Sequence, residues 1–164
     1  MESSITELNN METEQIWVSL NLGKQRLLVG CIYKPPSTLF DVNHKIIELI
    51  KSAKRAIYQR KYIYLVITGD FNYRTIDWCD LDSPYSLEEA DNQPNLFIEC
   101  LDECFLAQFV SEPSFQRVNY ESYNILDLVI TNDRNKINCI EHSAPLGEAN
   151  QGSRSSFKVQ IRNE

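Results

Sequence analysis

Only two histidines, His44 and His142, occur in the 164 residues, which leaves little for a histidine-rich metal centre. The five cysteines, Cys31, Cys79, Cys100, Cys104 and Cys139, form an odd set without a CxxC pair. An even disulfide framework and a four-cysteine zinc site are therefore both disfavoured, and the reading is an intracellular protein with reduced thiols. The longest apolar runs, Arg26 to Tyr33 and Tyr62 to Ile67, are far too short to span a bilayer. Met1 to Asn10 has no basic region followed by an apolar one, so secretion is not indicated. No internal repeat, low-complexity tract or linker interrupts the chain.

What is there suits one ordinary domain. The composition is 43% hydrophobic and 24% charged, which excludes disordered, collagenous and disulfide-scaffold classes. A net charge of −7 argues against unaided electrostatic capture of nucleic acid. The charge is unevenly placed, however. Lys45, Lys51, Lys54, Arg55, Arg60 and Lys61 face only Glu48 between positions 45 and 61, a local +5. Asp70 to Glu103 carries ten acids against Arg74 alone, a local −9. An acidic stretch suits divalent cations, which can bridge to a phosphate substrate; two solvated faces are the plainer explanation.

Gln15–Leu22 reads as a strand, with Ile16, Val18, Leu20 and Leu22 alternating on one face. Gly23-Lys24 turns the chain, and Arg26–Tyr33 returns as a more apolar strand that Pro35-Pro36 ends. The spacing predicts a helix from about Phe40 to Gln59, with Ile46, Leu49, Ile50, Ala53 and Ile57 as its buried stripe. Tyr62–Thr68 has the continuous apolar character of a central strand. A turn-rich acidic loop leads to a second helix near Pro94, with Phe97, Cys100, Leu101 and Cys104 inward. For Cys100 and Cys104, core packing is a better reading than metal binding, since no further ligand pair accompanies them. Strands follow at Asn124–Thr131, Lys136–Ile140 and Ser156–Ile161. The order predicts an α/β layered fold with a mixed sheet.

Three places can carry chemistry. Ile67-Thr68-Gly69-Asp70-Phe71-Asn72 delivers an aspartate and an asparagine at the carboxyl end of a buried strand, where open α/β sheets place ligands. Asp70 can hold a water, a metal or a proton, and the Asn72 amide can bond a phosphate oxygen. The ordinary alternative is a turn made by Asp and Asn. Tyr33, locked beside Lys34-Pro35-Pro36, can donate to an oxyanion, or simply cap a core strand. Asp127 shares a strand face with Ile125 and Val129, opposite Leu126, Leu128 and Ile130, so its carboxylate is expected to be buried and to need a partner.

Taken together, Gln15-Ile16-Trp17-Val18, the run Leu28 to Pro36, Gly69-Asp70-Phe71-Asn72 with Ile76-Asp77-Trp78, Asn124 to Asn132 and Pro145-Leu146-Gly147 resemble the endonuclease/exonuclease/phosphatase superfamily, the DNase I-like fold. The likeness is greatest to the endonuclease domain of jockey-type non-LTR retrotransposons, and runs from about Glu12 to Gly147.

The resemblance implies an α/β/β/α sandwich, occupying residues 12–161 after a disordered segment 1–11, that hydrolyses phosphodiesters of DNA with Mg²⁺ or Mn²⁺. Asp70 would orient or deprotonate the attacking water, Asn72 would support phosphate and metal beside it, Tyr33 would stabilise charge on the phosphate, and Asp127 would orient a catalytic histidine. A reverse transcriptase partner and a nuclear location follow by analogy with the family alone.

Two departures qualify this. The family carries an asparagine and a metal-binding glutamate on strands well upstream of the Tyr-Lys-Pro-Pro segment. Here 32 residues precede Tyr33, and most match the later strand pair. Glu12-Thr13 lies too close to Trp17 to supply that glutamate. The family's Ser-Asp-His after Pro-Leu-Gly is replaced by Gly147 to Ser155 without a histidine, and His142 lies on the wrong side of Pro145. The domain is therefore expected to lack its amino-terminal strands and to be impaired. A truncated, inactive remnant, or a binding module using the basic helix, is the alternative to an active endonuclease.

Overall fold

The computed structural model describes residues 3–4, 8, 13–36, 40–88, 92–116, 123–143, 153–154 and 156–162. A short strand β1 (Ser3–Ser4) is followed by β2 (Glu14–Leu22) and β3 (Gln25–Tyr33), an antiparallel hairpin closed at Gly23, whose φ is +61°. Helix α1 (Phe40–Tyr58) crosses to β4 (Tyr64–Asp70), which lies parallel to β3, as a crossover of this length allows. A ribbon of β5 (Ile76–Asp77) and β6 (Tyr85–Ser86) precedes α2 (Asn92–Glu103) and β7 (Ala107–Gln108). The chain continues through β8 (Phe115–Gln116), β9 (Tyr123–Asn124), β10 (Asp127–Thr131), β11 (Ile137–Ser143), β12 (Ser153–Arg154) and β13 (Ser156–Ile161).

The main sheet runs β1-β2-β3-β4-β10-β7, with β3 and β4 as its parallel pair. Strand alternation divides its side chains between two cores. On one face Leu28, Ile32, Leu65, Ile67, Leu128 and Ile130 meet both helices. Ile46, Leu49, Ile50 and Ala53 of α1 are buried there, as the helical spacing predicts, and Ile57 packs partly against them. Phe97, Cys100 and Leu101 of α2 join the same core, with Cys104 just beyond the helix end. On the other face Leu27, Val66 and Val129 meet Ile137, Ile140, Val159 and Ile161 of the β11–β13 pair. Helices, main sheet and part of a second sheet thus form three layers among the described residues, an α/β fold of the expected kind.

The expected continuous strand Asn124–Thr131 is broken. Tyr123–Asn124 pairs with β8 in a small sheet, whereas Asp127–Thr131 joins the main one. Between them the amides of Leu126 and Asp127 both donate to Ser114 Oγ at 2.9 Å, so the chain changes sheets there. The basic helix is also less open than its sequence suggests. Lys45 pairs with Asp41 at 2.6 Å and Lys51 with Glu103 at 2.9 Å, while Lys54 is buried and its ammonium pKa is lowered by that burial. No helix among the described residues is long and apolar enough to cross a membrane.

Burial pushes the Cys100 thiol up to about 12, with the neighbouring Cys104 adding to it. The folded chain therefore keeps a proton that the unfolded chain loses near pH 9, and stability contributed below that pH is lost as pH rises toward 12. Melting temperature is expected to fall across this window, and Cys100→Ala to flatten the fall relative to its own value at neutral pH.

Candidate active site

The site grows out of one row of the main sheet. Tyr33 is the Cα partner of Asp70 across β3 and β4, and Asp70 is the partner of Asp127 across β4 and β10. By alternation all three occupy the face of Leu27, Val66 and Val129, at the carboxyl end of β4. Phe71 N donates to Leu126 O at 2.8 Å. That makes the Asp70–Asp127 position a closely spaced, non-hydrogen-bonded pair, with Cα atoms about 4.5 Å apart. Asp70 is 7% exposed, Asp127 is half-buried rather than fully enclosed, and Tyr33 is 39% exposed. A phenol and two carboxylates thus line one edge of the inter-sheet space.

The loop beyond Asp70 is tightly tied. Lys34 N donates to Asp70 O at 2.8 Å, extending the β3–β4 pairing one step before the prolines end it. Asn72 adopts a left-handed conformation, φ +50°, which asparagine tolerates better than most residues. Its amide N donates to Asp70 Oδ1 at 3.2 Å, and its side-chain Nδ2 donates to Lys34 O at 2.7 Å. The turn that Asp and Asn were able to make is therefore present, and it is also what joins the ends of β3 and β4. Phe71 and Tyr73 anchor this loop in the helical core, their rings 5.3 and 4.4 Å from that of Phe97.

Sequence reasoning missed four supporting residues. Lys34 is buried, its ammonium 4.6 Å from the Tyr73 ring centroid, a cation–π arrangement directly behind Tyr33. Tyr73 Oη donates to Oδ1 of the fully buried Asn43 on α1. Ser114, also fully buried, fixes the entry to β10 and with it Asp127. The Pro113-Ser114 pair ahead of the Asn124 strand was its one sequence signal. Replacing Ser114 by alanine leaves two amides without their acceptor and is expected to cost about 2–3 kcal/mol. Urea denaturation would read the loss, and Ser114→Thr, which keeps the hydroxyl, should recover most of it.

Whether these residues suit a divalent metal can be judged from their donors. Two carboxylates and the Asn72 side-chain oxygen form a hard oxygen set, which fits Mg²⁺ or Mn²⁺ and not a soft metal. No group of three or more His, Cys, Asp and Glu side chains that could enclose a metal ion occurs among the described residues. The set fits a magnesium ion that takes one or two carboxylates and fills its remaining positions with water and phosphate. His142 lies on β11 with Nδ1 3.7 Å from the Glu112 carboxylate.

Comparison with known proteins agrees with this architecture. The endonuclease domain of TRAS1, a telomere-specific non-LTR retrotransposon, superposes with a TM-score of 0.65 at 14% identity, covering 98% of this chain and 67% of that one. An endonuclease/exonuclease/phosphatase family protein from Leptotrichia buccalis gives a TM-score of 0.52 at 11% identity, over 90% of this chain and 53% of that one. The inositol polyphosphate 5-phosphatase domain of SPsynaptojanin, solved with inositol (1,4)-bisphosphate and calcium, gives 0.51 at 14% identity, over 98% and 55%. At these identities the likeness is one of fold. No curated protein matches the chain in sequence at a significant level. The sequence profile described as endonuclease-reverse transcriptase matches residues 27–148, which contain Tyr33, Asp70, Asn72 and Asp127. The chain belongs to that family, within the DNase I-like superfamily.

Proposed function

We propose that the row Tyr33–Asp70–Asp127, with Asn72 beside it, is the phosphodiester-hydrolysing site of a divalent-metal-dependent DNA endonuclease. The observation that carries this reading is the register itself, which sets a phenol and two carboxylates side by side on three adjacent strands. Asp70 and Asn72 would hold the metal, and Asp127 supplies a second carboxylate directly opposite Asp70. Like charges so placed repel each other, and a divalent cation relieves that repulsion. When bound, the metal would neutralise charge on the phosphate and lower the cost of ionising a water.

The chain's own groups do the rest. The Asp70 carboxylate takes the proton of the attacking water as its oxygen bonds to phosphorus, the opposite P–O bond breaks, and the departing oxygen takes a proton from solvent water. Tyr33 Oη donates to a phosphate oxygen as negative charge builds there. The Asn72 side-chain amide donates to Lys34 O at 2.7 Å, which restrains the side chain instead of leaving it to rotate. A labelled DNA duplex should be cut in Mg²⁺ and left intact in EDTA. Tyr33→Phe should slow cutting about tenfold to a hundredfold without lowering the melting temperature, since it removes one donor to developing charge.

A second reading, DNA binding without cleavage, is favoured by one observation. Among the described residues no third carboxylate or imidazole completes the Asp70–Asp127 pair. Retention of the duplex with no metal-dependent cutting would select it.

A further inference from the structure

Helix α1 leads into the amino end of β4, and α2 leads into β7 beside the carboxyl end of β10, which is the same end of the main sheet. Both helices therefore finish opposite the catalytic row, about 20 Å away along β4. Their two termini are built alike. Arg60 N donates to Ile57 O at 2.9 Å and Lys61 N to Ala56 O at 3.1 Å. Phe105 N donates to Asp102 O at 3.0 Å and Leu106 N to Leu101 O at 2.9 Å. Such a cap needs one residue in the left-handed region, and glycine is its usual occupant. Here Arg60 takes that position at φ +57° and Phe105 at +49°. Both side chains are exposed, Phe105 by 78%, so burial offsets neither backbone cost. Tyr58, on the last turn of α1, is 64% exposed.

We propose that this end of the molecule binds a single-stranded nucleic acid, with bases stacking on Phe105 and Tyr58 and phosphates held by Arg60 and Lys61. Two helix carboxyl ends would by themselves repel phosphate. Arg55, Arg60 and Lys61 reverse that sign, joined by Arg26, whose carbonyl accepts from Ile63 N and whose guanidinium lies 4.7 Å from the Tyr62 ring centroid. With a net charge of −7, the chain attracts a strand through this local patch and not through its overall field. Exposed rings among cations suit an unpaired strand, because every base offers a face to a ring and every nucleotide a charge. A cavity of about 300 Å³ beside Phe105 adds a seat for one base, between Leu106, Thr131, Asn132 and Arg134. Asp102 in its wall can accept from an exocyclic amine. Arg134 pairs with Asp82 across the surface, an exposed ion pair that a phosphate can replace. A duplex hides its base faces and an acidic peptide has none, so neither uses the two rings. The proposal stands apart from the hydrolytic reading, since it uses no residue of the Tyr33–Asp70–Asp127 row.

Fluorescence anisotropy in EDTA, with labelled oligo-dT, oligo-U and a wholly abasic strand of equal length, tests this. Wild type should hold a base-bearing strand more tightly than the abasic one, and the preference between dT and U tells DNA from RNA. Phe105→Gly removes a ring and relieves the left-handed backbone. It should weaken the base-bearing strands about fivefold or more, leave the abasic affinity unchanged, and hold or raise the melting temperature. Arg60→Gly should weaken all three strands without lowering the melting temperature. It should also reduce the slope of log affinity against log salt by about 0.7, one phosphate contact. Wild type that binds no strand, or binds base-bearing and abasic strands equally, would overturn the proposal. So would a Phe105→Gly or Arg60→Gly variant that binds every strand as wild type does. Wild type that ignores the strands but sediments with phosphatidylserine vesicles would overturn it in favour of a membrane surface.

Discussion

Gly69→Ala is expected to destabilise the chain by about 4 kcal/mol or more, a large share of the roughly 5–15 kcal/mol that holds a domain of this size. Gly69 sits one residue before Asp70 with φ at +136°, a region that side-chain-bearing residues rarely enter. A Cβ built there would lie 1.9 Å from the backbone oxygen of Ile32. That oxygen belongs to the strand partner, because Ile32 and Gly69 face each other in the parallel β3–β4 ladder. It cannot swing aside as a flexible side chain would, so accommodating the methyl means prising the two central strands apart. The damage falls at the place where Tyr33 and Asp70 are brought together. Denaturant midpoints would read the loss, and cleavage should vanish even in the fraction that stays folded. An alanine variant as stable as wild type would mean that the close approach is not a feature of the molecule in solution.

Asp70→Ala is expected to remove about 10³-fold or more of any metal-dependent cleavage, with only about 1 kcal/mol of stability lost. The stability cost is small because the bond that Asp70 Oδ1 accepts from Asn72 N belongs to the turn after β4, and the ladder beneath it is unchanged. The catalytic cost is large because the proposed mechanism gives the carboxylate two tasks, holding the metal and taking the proton of the attacking water. Asp127→Ala should cost a similar amount. The double variant should be no slower than the worse single one, since groups that act as a unit lose their effect together. Rates measured for all three, beside matched thermal melts, separate this outcome from simple misfolding. Losses that multiply would mean that the two carboxylates act independently.

Much of this site was legible in the sequence because it is local. Period-two alternation located β2, a turn followed by a more apolar run that two prolines end located β3, the spacing of Ile46, Leu49, Ile50 and Ala53 located the buried face of α1, and an uninterrupted apolar run ending in Gly69-Asp70-Phe71-Asn72 located β4 and its carboxyl end. The last strand, Ser156–Ile161, was read to its exact ends. What escaped depends on contacts between distant segments. The Pro113-Ser114 pair marks a turn, but it does not announce that the Ser114 hydroxyl will hold the amides of Leu126 and Asp127 and divide a run that reads as one strand. Nothing near Asn132 shows that its side chain will accept from Leu65 N at 2.7 Å and donate to Ile63 O at 3.1 Å, bridging to the start of β4. Nothing near Lys34 shows that it will be buried with its ammonium over the ring of Tyr73, on another loop. The basic run of α1 reads as an open cationic face, yet one lysine is buried and two are ion-paired.

The most direct measurement is nicking of supercoiled plasmid by the purified chain in Mg²⁺, Mn²⁺ or EDTA, beside the Asp70→Ala variant. Conversion to open circles that requires the metal and disappears in the variant is the expected result. Equal nicking by wild type and variant, or nicking that persists in EDTA, would contradict the assignment of phosphodiester hydrolysis to the Tyr33–Asp70–Asp127 row.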